Sequence, residues 1–429
     1  MLNRLDLRDA TGDLRGLLPR PEVGVGAPVA AVRAILDDVR ARGDAALLDL
    51  TERFDGVRPD PLRVPESELK AALEAVPAPL RDALEVAWGN IVDHHRHQLR
   101  PDARTEDRGL VLRELQRPVE RAGCYVPGGK AKYPSTVLMT AGPATVAGVD
   151  EVVVVCPPGG DGRIPVETLA ACAVAGVEEV YRVGGAQAVG ALAYGTTSIP
   201  AVDVIVGPGN VYVAVAKREV AGEGRVGVPS AFAGPSEVVV VADATTDPTW
   251  AAIDVLVQAE HGPDGLAWLV TWEEEALVAI AEAVDRLLGD QPRRADIEAT
   301  LLEGGYAVLC RDREQAMAVA NLIAPEHLEL LVADPEALLP LVRHAGAVFT
   351  GMYGTASLGD YVAGPSHVLP TYGSARFSSA LRVDDFIKTV HVISADSEAF
   401  ARLGPHVAVL ANAEGLAAHA QSVRLRGPR

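Results

Sequence analysis

From Pro118 onward the chain alternates short β-branched runs with helical stretches, joined by tight glycine turns. Residues 119–125, 151–155, 179–183 and 202–206 read as strands. Helices are expected from about Ser135, over 166–175, after Gly184-Gly185, and from Gly207-Pro208-Gly209-Asn210 through Lys217. Strands in that order need crossovers, so they form a parallel sheet with helices packed on its faces. A second set starts at 237–241 and continues through strands near Leu266–Thr271, 306–310 and Ala347–Thr350. The expected fold class is α/β, with two Rossmann-like parallel-sheet domains and a small appendage at each end.

Domain limits follow from breaks in this pattern. Residues 1–24 are interrupted by Gly12, Gly16, Pro19 and Pro21 and read as an N-terminal appendage. Residues 25–122, helical in pattern (Val29, Val32, Leu36, Val39, then Leu80, Leu84, Trp88, Ile91), are grouped with 235–380 as the first domain. Residues 123–234 make the second. A tail, 381–429, holds a strand at 389–393 and a last helix from about Ala413, and needs another surface to pack on. At 429 residues and 48% hydrophobic, the chain has enough apolar material to dispense with staples.

Charge and composition exclude several function classes. A formal charge of −19 without a basic block argues against nucleic acid or an anionic membrane as partner. The opening Met1-Leu2-Asn3-Arg4-Leu5-Asp6 lacks a signal peptide's apolar core, and no run reaches the ~18 apolar residues of a membrane helix. Cys124, Cys156, Cys172 and Cys310 are scattered without a CxxC, as expected of reduced thiols in a cytoplasmic protein. Thiolates are therefore not expected to hold a metal.

The chemistry-bearing stretches are few. Ala324-Pro325-Glu326-His327-Leu328-Glu329 puts a carboxylate beside an imidazole after a helical run that Pro325 must end. Glu326 and His327 are expected on irregular backbone, as a base and an acid/base shuttle, or as a plain surface pair. Asp247 and Pro248 open a helix that ends in Gln258-Ala259-Glu260-His261, where Gln258 and His261 share a face. Such a pair can share a cation or simply cap a helix. Residues 359–371 read as an irregular loop holding Asp360 near His367. The last helix, capped by Asn412, carries His419 on an apolar stripe with Leu416, Ala420 and Val423. His94-His95-Arg96-His97 reads as a solvated helix end rather than a metal site. No GxGxxG follows a strand, but Gly207-Pro208-Gly209-Asn210 sits where a helix N-terminus favours phosphate.

Together these stretches resemble the histidinol dehydrogenase family. The matching text is Tyr125-Val126-Pro127-Gly128-Gly129, Gly184-Gly185-Ala186-Gln187-Ala188, Gly207-Pro208-Gly209-Asn210, Ala233-Gly234-Pro235-Ser236-Glu237 and Gln258-Ala259-Glu260-His261. It continues with the Glu326-His327 stretch, the 359–371 loop, Ala375-Arg376-Phe377-Ser378-Ser379 and Glu414-Gly415-Leu416-Ala417-Ala418-His419-Ala420. The resemblance implies a zinc-dependent, NAD-linked homodimer that oxidises L-histidinol through the aldehyde to the acid with two NAD per turnover. Carried over by motif, Gln258, His261, Asp360 and His419 would hold zinc, and Glu326 would activate water. His327 would take the alcohol proton and bind substrate. Ser236 and Glu414, with the zinc ligands, would complete the substrate site, and Tyr125, Gln187 and Asn210 would contact NAD. The tail would pack on the partner subunit, so that active sites are shared.

The chain departs from the family pattern at Ser366, where Asn is usual, at 351–356, usually richer in proline, and near Ser230, usually Asp. Two further classes stay open on this ground. One is a related zinc/NAD dehydrogenase of another small polar alcohol. The other is a catalytically silent, metal-binding paralogue.

Overall fold

The structure, a computed structural model, describes residues 1–19, 28–129, 132–229, 236–260, 262 and 265–426. Its strands are β1 (Asn3–Asp6), β2 (Ala103–Asp107), β3 (Leu110–Pro118), β4 (Arg121–Tyr125), β5 (Glu151–Cys156), β6 (Glu179–Arg182) and β7 (Val204–Val206). They continue with β8 (Glu237–Ala242), β9 (Leu266–Thr271), β10 (Gly305–Leu309), β11 (His327–Leu331), β12 (Ala347–Thr350) and β13 (Ile387–Ala395). Two parallel sheets result, with orders β6-β5-β4-β7 and β1-β10-β9-β8-β11-β12. Runs such as Val152-Val153-Val154-Val155 and Val238-Val239-Val240-Val241 are apolar throughout because these central strands are covered on both faces.

Alternation along each strand divides its side chains between two cores. In the four-stranded sheet Cys124 and Val154 face the core with helices Glu66–Ala75, Ala78–Arg96, Pro134–Ala147 and Val166–Val174. Tyr125, Val153 and Val155 face the other core, with helices Val29–Arg42, Asp44–Asp55, Gly185–Tyr194 and Val211–Gly222. The six-stranded sheet is covered by helices Pro248–Ala259, Glu274–Leu288 and Arg294–Gly304 on one face and by Arg313–Ile323 on the other. Helix Glu274–Leu288 shows why it lies at the surface: Leu277, Ile280, Val284 and Leu288 form one buried stripe at helical spacing.

Three expectations about organisation are corrected. Residues 3–6 do not stand apart as an appendage: β1 pairs in parallel with β10, Asn3 opposite Tyr306, at an edge of the six-stranded sheet. The helices between 29 and 96 pack on the four-stranded sheet, not on the six-stranded one with which they were grouped. The tail has a place in its own chain as well, since β13 pairs with β3 over nine residues, Ile387 opposite Pro118 through Ala395 opposite Leu110. With β2 these make a small antiparallel sheet. The tail also holds a helix, Ser397–Ala413, before the last one, Ala417–Arg424, whose N-cap is Leu416 rather than Asn412. The outer faces of this tail leave Ile393, Val409 and Leu410 exposed by 73%, 67% and 64%. Among the described residues no helix is long and apolar enough to cross a membrane.

Candidate active site

In each parallel sheet the chain lays down strands outward from one that later becomes internal, then returns to its other side. The reversal falls between β4 and β7 in the four-stranded sheet and between β8 and β11 in the six-stranded one. Ligands of open α/β sheets settle at such points, outside the carboxyl ends of the strands. The four-stranded sheet obeys: Tyr125 ends β4, and Gly207 follows β7. The six-stranded sheet presents its other end. Ser236 precedes β8 and Glu326 precedes β11, and both line, with Gly207, Pro208, His367 and Thr371, a cavity of about 100 Å³. The cleft thus lies between the carboxyl ends of one sheet and the amino ends of the other.

Local sequence explains why Glu326 points there. Helix Arg313–Ile323 starts on an Asp312 cap to the Gln315 N–H and ends at Ala324, which adopts a left-handed conformation with φ 49°. A helical conformation is disfavoured before Pro325, so the chain turns. The turn is pinned by Gly346 N–H to the Pro325 carbonyl and Ala347 N–H to the Glu326 carbonyl, both at 2.9 Å. Gly346 suits this approach, because a Cβ would sit 2.6 Å from the Glu326 carbonyl oxygen. His327 then begins β11, a buried strand between β8 and β12, rather than lying on irregular backbone as expected.

The catalytic candidates meet at this strand end. Glu326 Oε2 accepts the Glu237 N–H at 3.0 Å and lies 3.5 Å from His327 Nδ1. His327 Nδ1 is also 3.2 Å from the Glu237 carbonyl, and its Nε2 is 3.1 Å from Asp360 Oδ1. The ring lies at 22° to that of Phe349, with centroids 5.8 Å apart. Burial disfavours the imidazolium, but the Glu326 charge and the Asp360 hydrogen bond outweigh it and hold the proton well above the ordinary histidine range. Asp360 sits on a short helix, Ala356–Tyr361, where an irregular loop was expected. His367 Nδ1 donates to the Asp360 carbonyl at 2.8 Å, while Nε2 is 3.1 Å from Thr136 Oγ1 on a helix of the other sheet.

Of the four expected metal ligands, Gln258 is the most informative. It is 1% exposed, and among the described residues neither of its amide polar atoms has a hydrogen-bond partner. A buried amide left bare in this way is costly, so the site fits a cation taken up by its oxygen. Gln258 is one turn beyond Asp254, which accepts the Thr355 hydroxyl beside the Asp360 helix, so Gln258 shares the face turned toward that segment. His261 lies outside the described residues, as do Ala233, Gly234, Pro235 and Ser230. Glu414 and His419 are exposed on the tail of the same chain. Among the described residues no three His, Cys, Asp or Glu side chains gather as metal ligands.

The expected NAD contacts cluster at the carboxyl end of the four-stranded sheet. Gly185 N–H donates to Tyr125 Oη at 3.0 Å. Gln187 is buried, and among the described residues its Oε1 has no partner, which leaves an acceptor for a ligand amide or hydroxyl. Asn210 caps helix Val211–Gly222 by accepting from the Tyr212 and Val213 N–H groups at 3.0 and 3.2 Å. The turn before it rests on Lys217, a buried lysine whose ammonium donates to the Gly207 carbonyl and whose pKa burial lowers to about 7. Gly207 has φ +103° and is packed on the Tyr125 carbonyl, so no other residue fits.

Sequence reading missed Lys217, Asp254 and Glu329. For Glu329 the signal was present, an acid alternating with His327 in an otherwise apolar strand. His95, expected at a solvated helix end, is instead fully buried, with Nδ1 2.7 Å from the Ile91 carbonyl. The Ser366 departure is structural: its hydroxyl donates to the Met139 carbonyl at 3.0 Å and accepts the Val368 N–H at 3.2 Å.

Comparison with known proteins gives a consistent picture. The family described as Histidinol dehydrogenase matches residues 18–427. A histidinol dehydrogenase of Parasynechococcus marenigrum (strain WH8102) is 48% identical over 423 residues, covering 98% of this chain and 96% of that protein. One from Pseudomonas aeruginosa is 51% identical over 397 residues, covering 91% and 89%. The crystal structure of histidinol dehydrogenase from Elizabethkingia anophelis superposes with a TM-score of 0.94 at 33% identity, covering 99% of this chain and 98% of that one.

Proposed function

The chain belongs to the histidinol dehydrogenase family, and from that premise we propose that it oxidises L-histidinol through L-histidinaldehyde to L-histidine, the last steps of histidine biosynthesis, with zinc and two NAD. The observation that carries the reading is the Glu326–His327–Asp360 cluster at the cleft, with His327 3.1 Å from Asp360 and Glu326 held by Glu237. Two successive oxidations of a primary alcohol need a group to accept the alcohol proton and a second base to deliver a water oxygen to the aldehyde. His327 and Glu326 fill those roles, side by side and differently placed.

Gln258, His261 and Asp360 of one chain, with His419 of a partner chain, are the zinc ligands in this reading. A cation held there would orient and polarise the alcohol, and Asp360, sharing its charge with it, would release the His327 proton more readily. In the first step His327 would take the hydroxyl proton, and NAD would accept the hydride from the same carbon. In the second, Glu326 removes a proton from water as its oxygen adds to the aldehyde carbon. Once its first proton had gone to solvent, His327 would take the hydrate's proton, and a second NAD would accept the hydride. Tyr125, Gln187 and Asn210 line the end of the four-stranded sheet where NAD would lie. Ser236 stands half-buried at the cleft to meet substrate. Glu414, exposed like His419 on its own tail, would reach the partner's cleft. The working unit is a cytoplasmic homodimer.

Steady-state rates with L-histidinol against a panel of small alcohols test the substrate, with metal analysis of the same preparation. The expected result is a strong preference for histidinol and about one zinc per chain, since four side chains complete one site. A preference for another alcohol, or full activity in metal-free protein, would overturn the reading.

A further inference from the structure

The segment that presents Asp360 is only six residues long, Ala356–Tyr361, too short a helix to be stable by itself. Its start is held from outside by two acids. Side chains alternate along β11, so His327, Glu329 and Leu331 face the same way, toward the core containing helix Pro248–Ala259. Glu329 is fully buried, and its Oε1 accepts the Ala356 N–H at 2.7 Å. Asp254, from that facing helix and also buried, accepts the Thr355 hydroxyl at 2.9 Å. Among the described residues the remaining Glu329 oxygen, Oε2, has no hydrogen-bond donor, and the Asp254 carboxyl, tied to Thr355 next to the Ala356 that Glu329 holds, acts on it.

Two carboxylates in that position would both be charged and both be acceptors. Neither could satisfy the other. One proton between them removes a charge and supplies the missing donor. Burial first, then the Asp254 charge, push the Glu329 carboxyl well above the ordinary range, and burial raises Asp254 as well. His327, two residues back on the same strand, is the other titratable group acting on Glu329.

We propose that Asp254 and Glu329 are a positioning pair that clamps the first turn of helix Ala356–Tyr361, so that Asp360 near its end meets His327 Nε2. Strand β11 then grips the helix twice, through Glu329 at its start and His327 near its end. Helix Pro248–Ala259 joins the same grip through Asp254, one turn before Gln258. Neither acid is placed to touch substrate. Their effect passes through the aim of Asp360, and the proposal rests on the reading of Asp360 as an active-site group.

The test compares Glu329→Leu with Glu329→Gln in the full-length enzyme. The carboxamide can still accept from Ala356 N–H and donate to Asp254, whereas the leucine can do neither. In Glu329→Leu, amide exchange of the 355–361 segment should quicken by about tenfold or more, as expected for a lost buried hydrogen bond. Its kcat with histidinol should fall by a similar factor, while the KM for NAD, set on the other sheet, stays within about twofold. Glu329→Gln should recover most of both losses. If the leucine variant fails to fold, Thr355→Val, which removes only the hydroxyl on Asp254, should quicken exchange in the same segment. Unchanged exchange in Glu329→Leu, or in Thr355→Val where that variant stands in, would overturn the proposal. So would a Glu329→Gln protein as impaired as the leucine variant. Exchange needs no substrate, so an enzyme that ignores histidinol would defeat the functional reading while the clamp is still decided.

Discussion

Glu326 is aimed from two sides: the Glu237 N–H takes one carboxylate oxygen, and its own carbonyl is tied to Ala347. Glu326→Gln preserves both bonds, because the amide oxygen can accept from Glu237. Aldehyde oxidation should nevertheless fall by about two orders of magnitude or more, the usual scale of general-base assistance. The alcohol half-reaction should suffer less, and His327→Asn should slow both. Single-turnover rates with each supplied intermediate check this, and an unimpaired aldehyde step in Glu326→Gln would reassign the base. Lys217 gives a residue-scale prediction about stability. Burial lowers its pKa from 10.5 to about 7, so between those pH values the unfolded chain holds more of its proton than the folded one. That difference makes stability rise with pH across the window, and the penalty is largest below about 7. Lys217→Met should therefore melt higher than the parent near neutral pH, with the gap closing toward pH 10. A gap that widens as pH rises would show that the ammonium is stabilised in place.

Among the elements, helix Val211–Gly222 leans on one side chain at its start. Asn210 caps it with two hydrogen bonds, so Asn210→Ala should cost about 1 kcal/mol of stability. If the same turn carries NAD, the KM for NAD should rise in that variant while the KM for histidinol holds. Thermal melts and two-substrate kinetics read the two effects separately. The strands of both sheets were legible because runs of valine bounded by glycine turns admit little else. The cap at Asp247 was equally plain, and its side chain does accept the Thr249 N–H at 2.8 Å. Harder to read was helix Ser397–Ala413, which contains Gly404 and Pro405, the usual signs of a break. The placement of Asp360 on a helix was hidden by the glycines and prolines that follow it. Proline at 325 was correctly a stop signal, but nothing local says that a strand restarts two residues later. That depends on pairing with β12 and with β8, the latter far away in sequence. For the same reason the packing of residues 29–96 on the four-stranded sheet could not be read from their periodicity, which shows that a helix has a buried face but not which sheet covers it.

At the scale of the whole molecule, the cleft draws on both sheets, and loop contacts fix their spacing. His367 reaches Thr136, Ser366 reaches the Met139 carbonyl, and Asn90 donates to the Val362 carbonyl at 2.8 Å. Two expected site residues, Glu414 and His419, stay exposed on the tail, beyond a helix, Ser397–Ala413, that also exposes Val407, Val409 and Leu410. A shared site accounts for both facts, and mixed dimers test it. Glu326→Gln and His419→Ala proteins, each inactive alone, should regain activity when co-expressed, because one cleft of the mixed dimer receives both lesions and the other neither. If heterodimers are present and remain dead, each tail serves its own chain. The order of synthesis adds a further consequence of β1. Asn3 lies 302 residues before Gly305, whose carbonyl its side chain bonds at the edge of the six-stranded sheet. At roughly 5–20 residues per second, β1 waits about 15–60 s for a neighbour to be made. Every strand of the four-stranded sheet has emerged by Val206, so that half can form while β1 is still loose. Strand β1, made long before its neighbour, is thus among the last to be seated, and it works as a latch. Blocking it with a bulky N-terminal fusion should leave the four-stranded half protected from protease early in refolding, while protection of the 237–350 region arrives late.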